Sequence, residues 1–136
     1  MRDRRSYSEN SMISGYVNAD YEPIIRIKIL DSNGQIYEQN AIVDTGFHGW
    51  LSLPPDLITT LGLTWKRRGR AILADGSGTI FDVYEAVIVW DGQLLRIPID
   101  EADSDPLVGM LLMEGYELTI QVVAGSTVVF KQLPTI

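Results

Sequence analysis

Three short turn-forming clusters divide this chain more firmly than any other feature. Asp31-Ser32-Asn33-Gly34, Asp75-Gly76-Ser77-Gly78 and Asp91-Gly92-Gln93 each interrupt runs rich in β-branched and aromatic residues. Asp and Asn side chains bond back to their own backbone, and Gly takes the positive φ of a tight hairpin, so each cluster predicts a reversal between two strands. Ile24 to Leu30 and Gln35 to Glu38 flank the first cluster. Two strands within Arg70 to Tyr84 flank the second, and Tyr84 to Val89 with Leu94 to Ile99 flank the third. Asn40 to Val43 and Trp50 to Leu53 read as further strands. Leu107 to Met113 reads as a strand turning into a short helix capped by Gly115, and Leu118 to Val123 and Thr127 to Leu133 as closing strands split by Gly125. Pro54, Pro55 and Asp56, with Gly62 behind them, give the start and stop signals of one short helix. The expectation is an all-β fold, a closed or partly open β-barrel with one or two short helices.

A chain of 136 residues holds one hydrophobic core of ordinary size, so a single domain is expected. Residues 1–12 are hydrophilic and aperiodic and read as a disordered N-terminal extension, which leaves 13–136 as the folded domain. The absence of cysteine removes disulfides, thiolate-held zinc or iron–sulfur centres and a cysteine nucleophile together. A formal charge of -7 opposes a nucleic-acid partner. The basic run Lys66-Arg67-Arg68-Gly69-Arg70 reads as a solvated loop or strand edge. No apolar run approaches the ~20 residues of a membrane span, and the polar start does not read as a secretory signal. A soluble cytoplasmic protein is the expectation.

The run Asn40-Ala41-Ile42-Val43 stops on Asp44-Thr45-Gly46 and then returns to apolar residues at Phe47 and Trp50. Such a triplet is turn chemistry and arises by chance at about one position in several thousand. Its place sharpens it. Asp44 follows an apolar strand directly, where an isolated carboxylate is costly to bury and therefore suggests a use.

Here the sequence resembles the retropepsin-like aspartic proteases, and most closely the small prokaryotic group of clan AA. Three motifs carry the resemblance. They are Ala41 to Phe47 with Gly49 and Leu51-Ser52-Leu53-Pro54; the glycine-rich hairpin Ala74 to Gly78; and Pro106 to Leu112, similar to the family's apolar pair and glycine behind the catalytic loop. The resemblance implies an aspartic-type endopeptidase, a hydrolase that holds a water between two carboxyls, one charged and one protonated. It implies no metal and no organic cofactor.

Only one such triplet is present, so the resemblance implies a homodimer in which a twofold axis brings Asp44 against its own copy. Two carboxyls this close share one proton and titrate as a coupled pair. By the same carry-over Thr45 reaches across to the partner loop and Gly46 lets the backbone approach the carboxyls. Asp75, Gly76, Ser77 and Gly78 become a substrate-binding flap that closes on an extended peptide or protein substrate.

Departures from the family pattern fall at Phe47, where viral members carry a small residue, and at Trp50, which reads as core or interface. His48, the single histidine, has no cysteine or serine partner that would make it a catalytic base or ligand. Asp100 to Asp105 lacks the glycine and terminal glutamate of a calcium loop and reads as a solvated turn, and Gly76-Ser77-Gly78 lacks the lysine of a nucleotide loop. The alternation of Val128 to Leu133 suggests a C-terminal contribution to the dimer. The rival function is a non-catalytic retropepsin-like dimer that binds peptides or docks a partner, since fold alone does not establish activity. A monomeric β-barrel outside this chemistry is a further, weaker rival.

Overall fold

A computed structural model describes residues 12–134; of the extension expected over residues 1–12, residues 1–11 lie outside the described residues and Met12 is the first residue of a strand. Ten strands form one sheet in the order β5-β6-β7-β4-β8-β3-β2-β1-β10-β9. They are β1 Met12–Val17, β2 Pro23–Leu30, β3 Ile36–Val43, β4 Leu51–Leu53, β5 Thr64–Ile72, β6 Gly78–Trp90, β7 Gln93–Glu101, β8 Leu107–Val108, β9 Tyr116–Ile120 and β10 Thr127–Gln132. Two short helices, α1 Pro55–Leu61 and α2 Met110–Met113, complete the described residues. A second pairing, Lys28↔Val89 and Ile29↔Ile88, joins β2 to β6 and curls the sheet into a partial ring. The all-β, partly closed barrel with two short helices is the architecture expected from the sequence.

The first turn forms as its residues dictate. Asp31 Oδ1 accepts the N–H groups of Asn33 and Gln35, both at 2.9 Å, and the chain reverses into β3. Helix α1 begins behind Pro54 and ends on Gly62, whose left-handed conformation lets its N–H reach the carbonyls of Ile58 and Thr59. Inside the ring, Ile25, Ile27 and Ile29 of β2, Leu51 and Leu53 of β4, Ile88 of β6 and Ile97 and Ile99 of β7 form the core with Leu61 from α1. Phe130, Trp90 and Tyr116 extend that core toward β9, with ring centroids 5.9 Å apart in edge-on pairs.

Several boundaries differ from the sequence reading. Ile36–Val43 is one strand, because the polar half Tyr37 to Asn40 pairs with β2 alone and needs no apolar cover on its other edge. β6 is a single thirteen-residue strand that serves two hairpins. β5 starts at Thr64, immediately after α1, although it is exposed almost throughout and carries no apolar alternation. β10 lies between β1 and β9, paired on both sides, and buries Val128 and Phe130. Both of its edges are thus paired within the chain. Among the described residues no helix is long and apolar enough to cross a membrane.

Candidate active site

Asp44 stands where β3 leaves the sheet, and the two-residue strand β8 holds it there. β8 runs parallel to β3, with Val43 beside Val108, and antiparallel to β4, with Leu51 beside Val108. Two chain crossings thus meet around one short apolar strand. Asp44 N–H donates to the Val108 carbonyl at 2.9 Å, and Gly109 N–H donates to Trp50 O at 2.9 Å. From α2, Met110 N–H bonds to Phe47 O at 2.8 Å and Leu111 N–H to Gly49 O at 3.1 Å. Asp44, Phe47, Gly49 and Trp50 of this loop are therefore clamped through their backbones.

Within the loop, Gly46 N–H donates to Asp44 Oδ1 at 2.8 Å and Phe47 N–H to Asp44 O at 3.1 Å. This is the local bonding that makes aspartate a turn residue, and it fixes one carboxyl oxygen toward the chain's own backbone. Asp44 is half-buried, whereas Thr45, Gly46 and His48 are exposed. The triplet read from the sequence is thus brought together on one open turn.

Phe47 has a definite place. A Cβ on Gly49 would lie 2.6 Å from its ring, and a Cβ on Gly109 would lie 2.7 Å from it and 2.2 Å from the Gly49 carbonyl oxygen. Two glycines therefore clear the space that the ring occupies beneath the loop. Trp50 packs against the core from the end of the same loop.

The second predicted group, Asp75, Gly76, Ser77 and Gly78, is at the tip of the β5–β6 hairpin. Gly76 has φ +87, Leu73 N–H bonds to Ser77 O at 2.7 Å, and Asp75 Oδ1 accepts both the N–H and the hydroxyl of Ser77. The Ser77 hydroxyl and N–H hold the Asp75 carboxyl below the usual carboxylate range. The tip is exposed, and among the described residues no hydrogen bond links it to the Asp44 turn.

Asp100 is a neighbour that the sequence reading placed in a solvated turn. It belongs instead to β7, where its register partners are Val83 on β6 and Ser52 on β4. Its Oδ2 would lie 3.1 Å from a Cβ on Gly49, so the carboxyl sits against the clamped loop. Burial pushes this carboxyl above its ordinary range, and Arg67 on β5 opposes the shift. Ser52 is buried, and its hydroxyl has no hydrogen-bond partner among the described residues. The signal that would have found Asp100 is the alternation Ile97, Ile99, which continues the strand past Asp100 to Glu101. Among the described residues, no group of three or more His, Cys, Asp or Glu side chains is arranged to hold a metal ion.

No protein-family model matches the chain, and no curated protein gives a significant match. Among solved structures it is similar to a retropepsin-like aspartic protease from Rickettsia conorii, with 18% identity and a TM-score of 0.55 over 88% of this chain and 88% of that one. It is also similar to EIAV protease complexed with the inhibitor HBY-793, with 18% identity and a TM-score of 0.52 over 71% of this chain and 89% of that one. At such identity the likeness is one of fold, and the fold of this chain is retropepsin-like.

Proposed function

We propose that this chain, through residues 13–136, is a cytoplasmic aspartic endopeptidase that works as a homodimer, with Asp44 of each copy facing the other across one site. The observation that carries the reading is the clamped, open turn. A half-buried carboxyl ends β3 with one oxygen held by Gly46 N–H, while the residues beside it face solvent. A chain with a single Asp-Thr-Gly triplet needs a second copy to pair that carboxyl. The retropepsin-like fold supports the same reading. A cytoplasmic setting is compatible with a cysteine-free chain whose apolar core needs no disulfide.

The chemistry follows from two carboxyls that share one proton. The charged carboxyl takes a proton from a water as that water attacks the peptide carbonyl carbon, and the protonated one donates to the carbonyl oxygen. Collapse of the tetrahedral diol breaks the C–N bond as the carboxyl that took the water's proton passes it to the leaving nitrogen and a diol hydroxyl returns its proton to the other carboxylate. Gly46 holds one Asp44 oxygen and leaves the other for the water. Thr45 is assigned the contact with the partner's loop, and Asp75 to Gly78 the closure over an extended substrate that keeps bulk water out. No metal or organic cofactor enters these steps.

The test is Asp44→Asn in the full chain, assayed against a broad peptide library from acid to neutral pH. Loss of all cleavage, with circular dichroism and sedimented mass unchanged, is the expected result. Cleavage at the wild-type rate by the variant refutes the assignment. A wild-type protein that binds library peptides as tightly as Asp44→Asn does, and never cuts them, is the non-catalytic docking dimer instead.

A further inference from the structure

Strand register lines up one residue from each of six strands. Arg67 on β5 stands beside Val83 on β6, Val83 beside Asp100 on β7, and Asp100 beside Ser52 on β4. The row goes on through Leu107 on β8 to Ile42 on β3. Side chains of register partners point to one face of a sheet, and residues two apart along a strand share a face. Gly69, two residues beyond Arg67, agrees with this, since an added Cβ there would meet the Val83 side chain at 3.1 Å. Asp44 is two residues beyond Ile42, and both donate their N–H groups to the β8 side, to Pro106 O and Val108 O. The row therefore joins the base of the β5–β6 hairpin to the Asp44 turn on a single face.

Two members of the row are polar where burial opposes it. Ser52 is 3% exposed, the one buried polar or charged residue among the described residues, and its hydroxyl has no partner there. A hydroxyl left so is costly, and register sets an acceptor, the Asp100 carboxyl, one strand spacing away on the same face. Asp100 is half-buried, with Oδ2 against Gly49, and burial works against its charge. Its electrostatic support comes from the hairpin. Lys66 lies 3.5 Å and Arg96 3.2 Å from Glu85, and Arg68 lies 3.6 Å from Asp82. Arg67 has no carboxylate within 4.0 Å among the described residues, and its charge acts on Asp100. A carboxyl kept among a hydroxyl, a guanidinium and a loop, against its own burial, is what a chain retains for function rather than for stability.

We infer that Asp100 is a positioning residue that holds the Gly49 end of the Asp44 loop, with Arg67 and Ser52 as its supports; this rests on the peptidase reading above. Gly49 O takes the Leu111 N–H, and Phe47 O, two residues back, takes the Met110 N–H. A carboxyl that pins Gly49 keeps both bonds in line, and with them the Gly46 N–H that fixes one Asp44 oxygen. Through Arg67 the hairpin assigned to close over the substrate is tied to the same loop. Asp100 touches neither the water nor the peptide in this arrangement. It sets where Asp44 stands once a peptide is bound, so its removal acts on turnover more than on binding.

The test is a cycle of full-length Asp100→Asn, Arg67→Gln and the double variant, beside wild type and Arg68→Gln, whose side chain pairs with Asp82. Asp100→Asn and Arg67→Gln should each lower kcat about tenfold with KM changed less than about twofold, and the double variant should be no slower than either. Arg67→Lys, which keeps the charge, should recover most of the loss, and Arg68→Gln should show none. Ser52→Ala should slow the wild-type chain but not Asp100→Asn. The Leu111 amide, bonded to Gly49 O, should exchange with deuterium about tenfold faster in Asp100→Asn, although relief of the buried charge makes that variant the more stable in urea. A part in folding alone would move exchange and stability together. Wild-type kcat in Asp100→Asn, additive losses in the double variant, or wild-type exchange at Leu111 overturns the inference, while the peptidase reading stands on its own Asp44→Asn test. A wild-type chain that cuts no peptide removes that reading, and this inference with it.

Discussion

The substitution Gly109→Ala probes the clamped loop directly. An added Cβ would lie 2.2 Å from the Gly49 carbonyl oxygen, 2.8 Å from its carbon and 2.7 Å from the Phe47 ring. Ordinary contact requires the Gly49 peptide to retreat by about 1 Å. That peptide cannot retreat freely, because its oxygen takes the Leu111 N–H, the Phe47 ring lies on it and the Asp100 carboxyl abuts it. Overpacking costs about 1–3 kcal/mol, and loss of the Leu111 bond about 1 kcal/mol more, so a destabilisation of roughly 2–4 kcal/mol is expected. If Asp44 acts as proposed, a displacement of this size beside it also costs about a hundredfold in rate. Urea unfolding and kcat/KM on one cleaved peptide read the two effects. Gly76→Ala is the comparison: it meets nothing within 4 Å and bears only the strain of φ +87, about 1 kcal/mol. A Gly109→Ala protein with the wild-type urea midpoint and wild-type turnover would refute the claim that this contact holds the loop.

Asp100→Asn is expected to raise the urea midpoint at neutral pH, because burial, the larger cause, penalises the charge more than Arg67 supports it. With the folded carboxyl above its ordinary 3.8, the native state binds the proton more tightly, so wild-type stability falls as pH rises through that window. The advantage of the variant should vanish as pH drops toward 3.8, and an advantage that persists there contradicts the argument. Tyr116→Phe removes the 2.7 Å bond from the phenol to Asp91 and should cost about 1 kcal/mol, read as a fall in Tm of about 4 °C. Phe130→Ala empties a fully buried site beside Trp90 and should cost about 3–5 kcal/mol in urea unfolding.

The hairpins were legible where side chains announce them. Asp31, Gly34, Gly76 and Gly92 act through bonds and dihedral angles that involve only near neighbours in sequence. The Asp44 turn was legible for the same reason, since Gly46 N–H completes it from two residues away. The first part of β5, Thr64 to Gly69, was hidden because its strand character comes from pairing with β6 and from no pattern of its own. Asp100 was hidden because its importance is positional: a carboxyl in an acidic stretch reads as solvated until β7 and β4 carry it against Gly49. The place of the last strand in the sheet was hidden for a similar reason. Alternation in Val128 to Leu133 records a strand but not how many neighbours it has, and β10 has two.

The pairing of Ile42 with Leu107 spans more than sixty positions of chain. Contacts of such separation form late, since the entropy of closing a long loop must be met before they are gained. A polypeptide still emerging from the ribosome can fold its first hairpins, yet it has no strand to seat the Asp44 turn until Val108 and Leu111 have cleared the exit tunnel. Hydrolytic capacity of the kind proposed is therefore withheld from every incomplete chain by the order of synthesis itself.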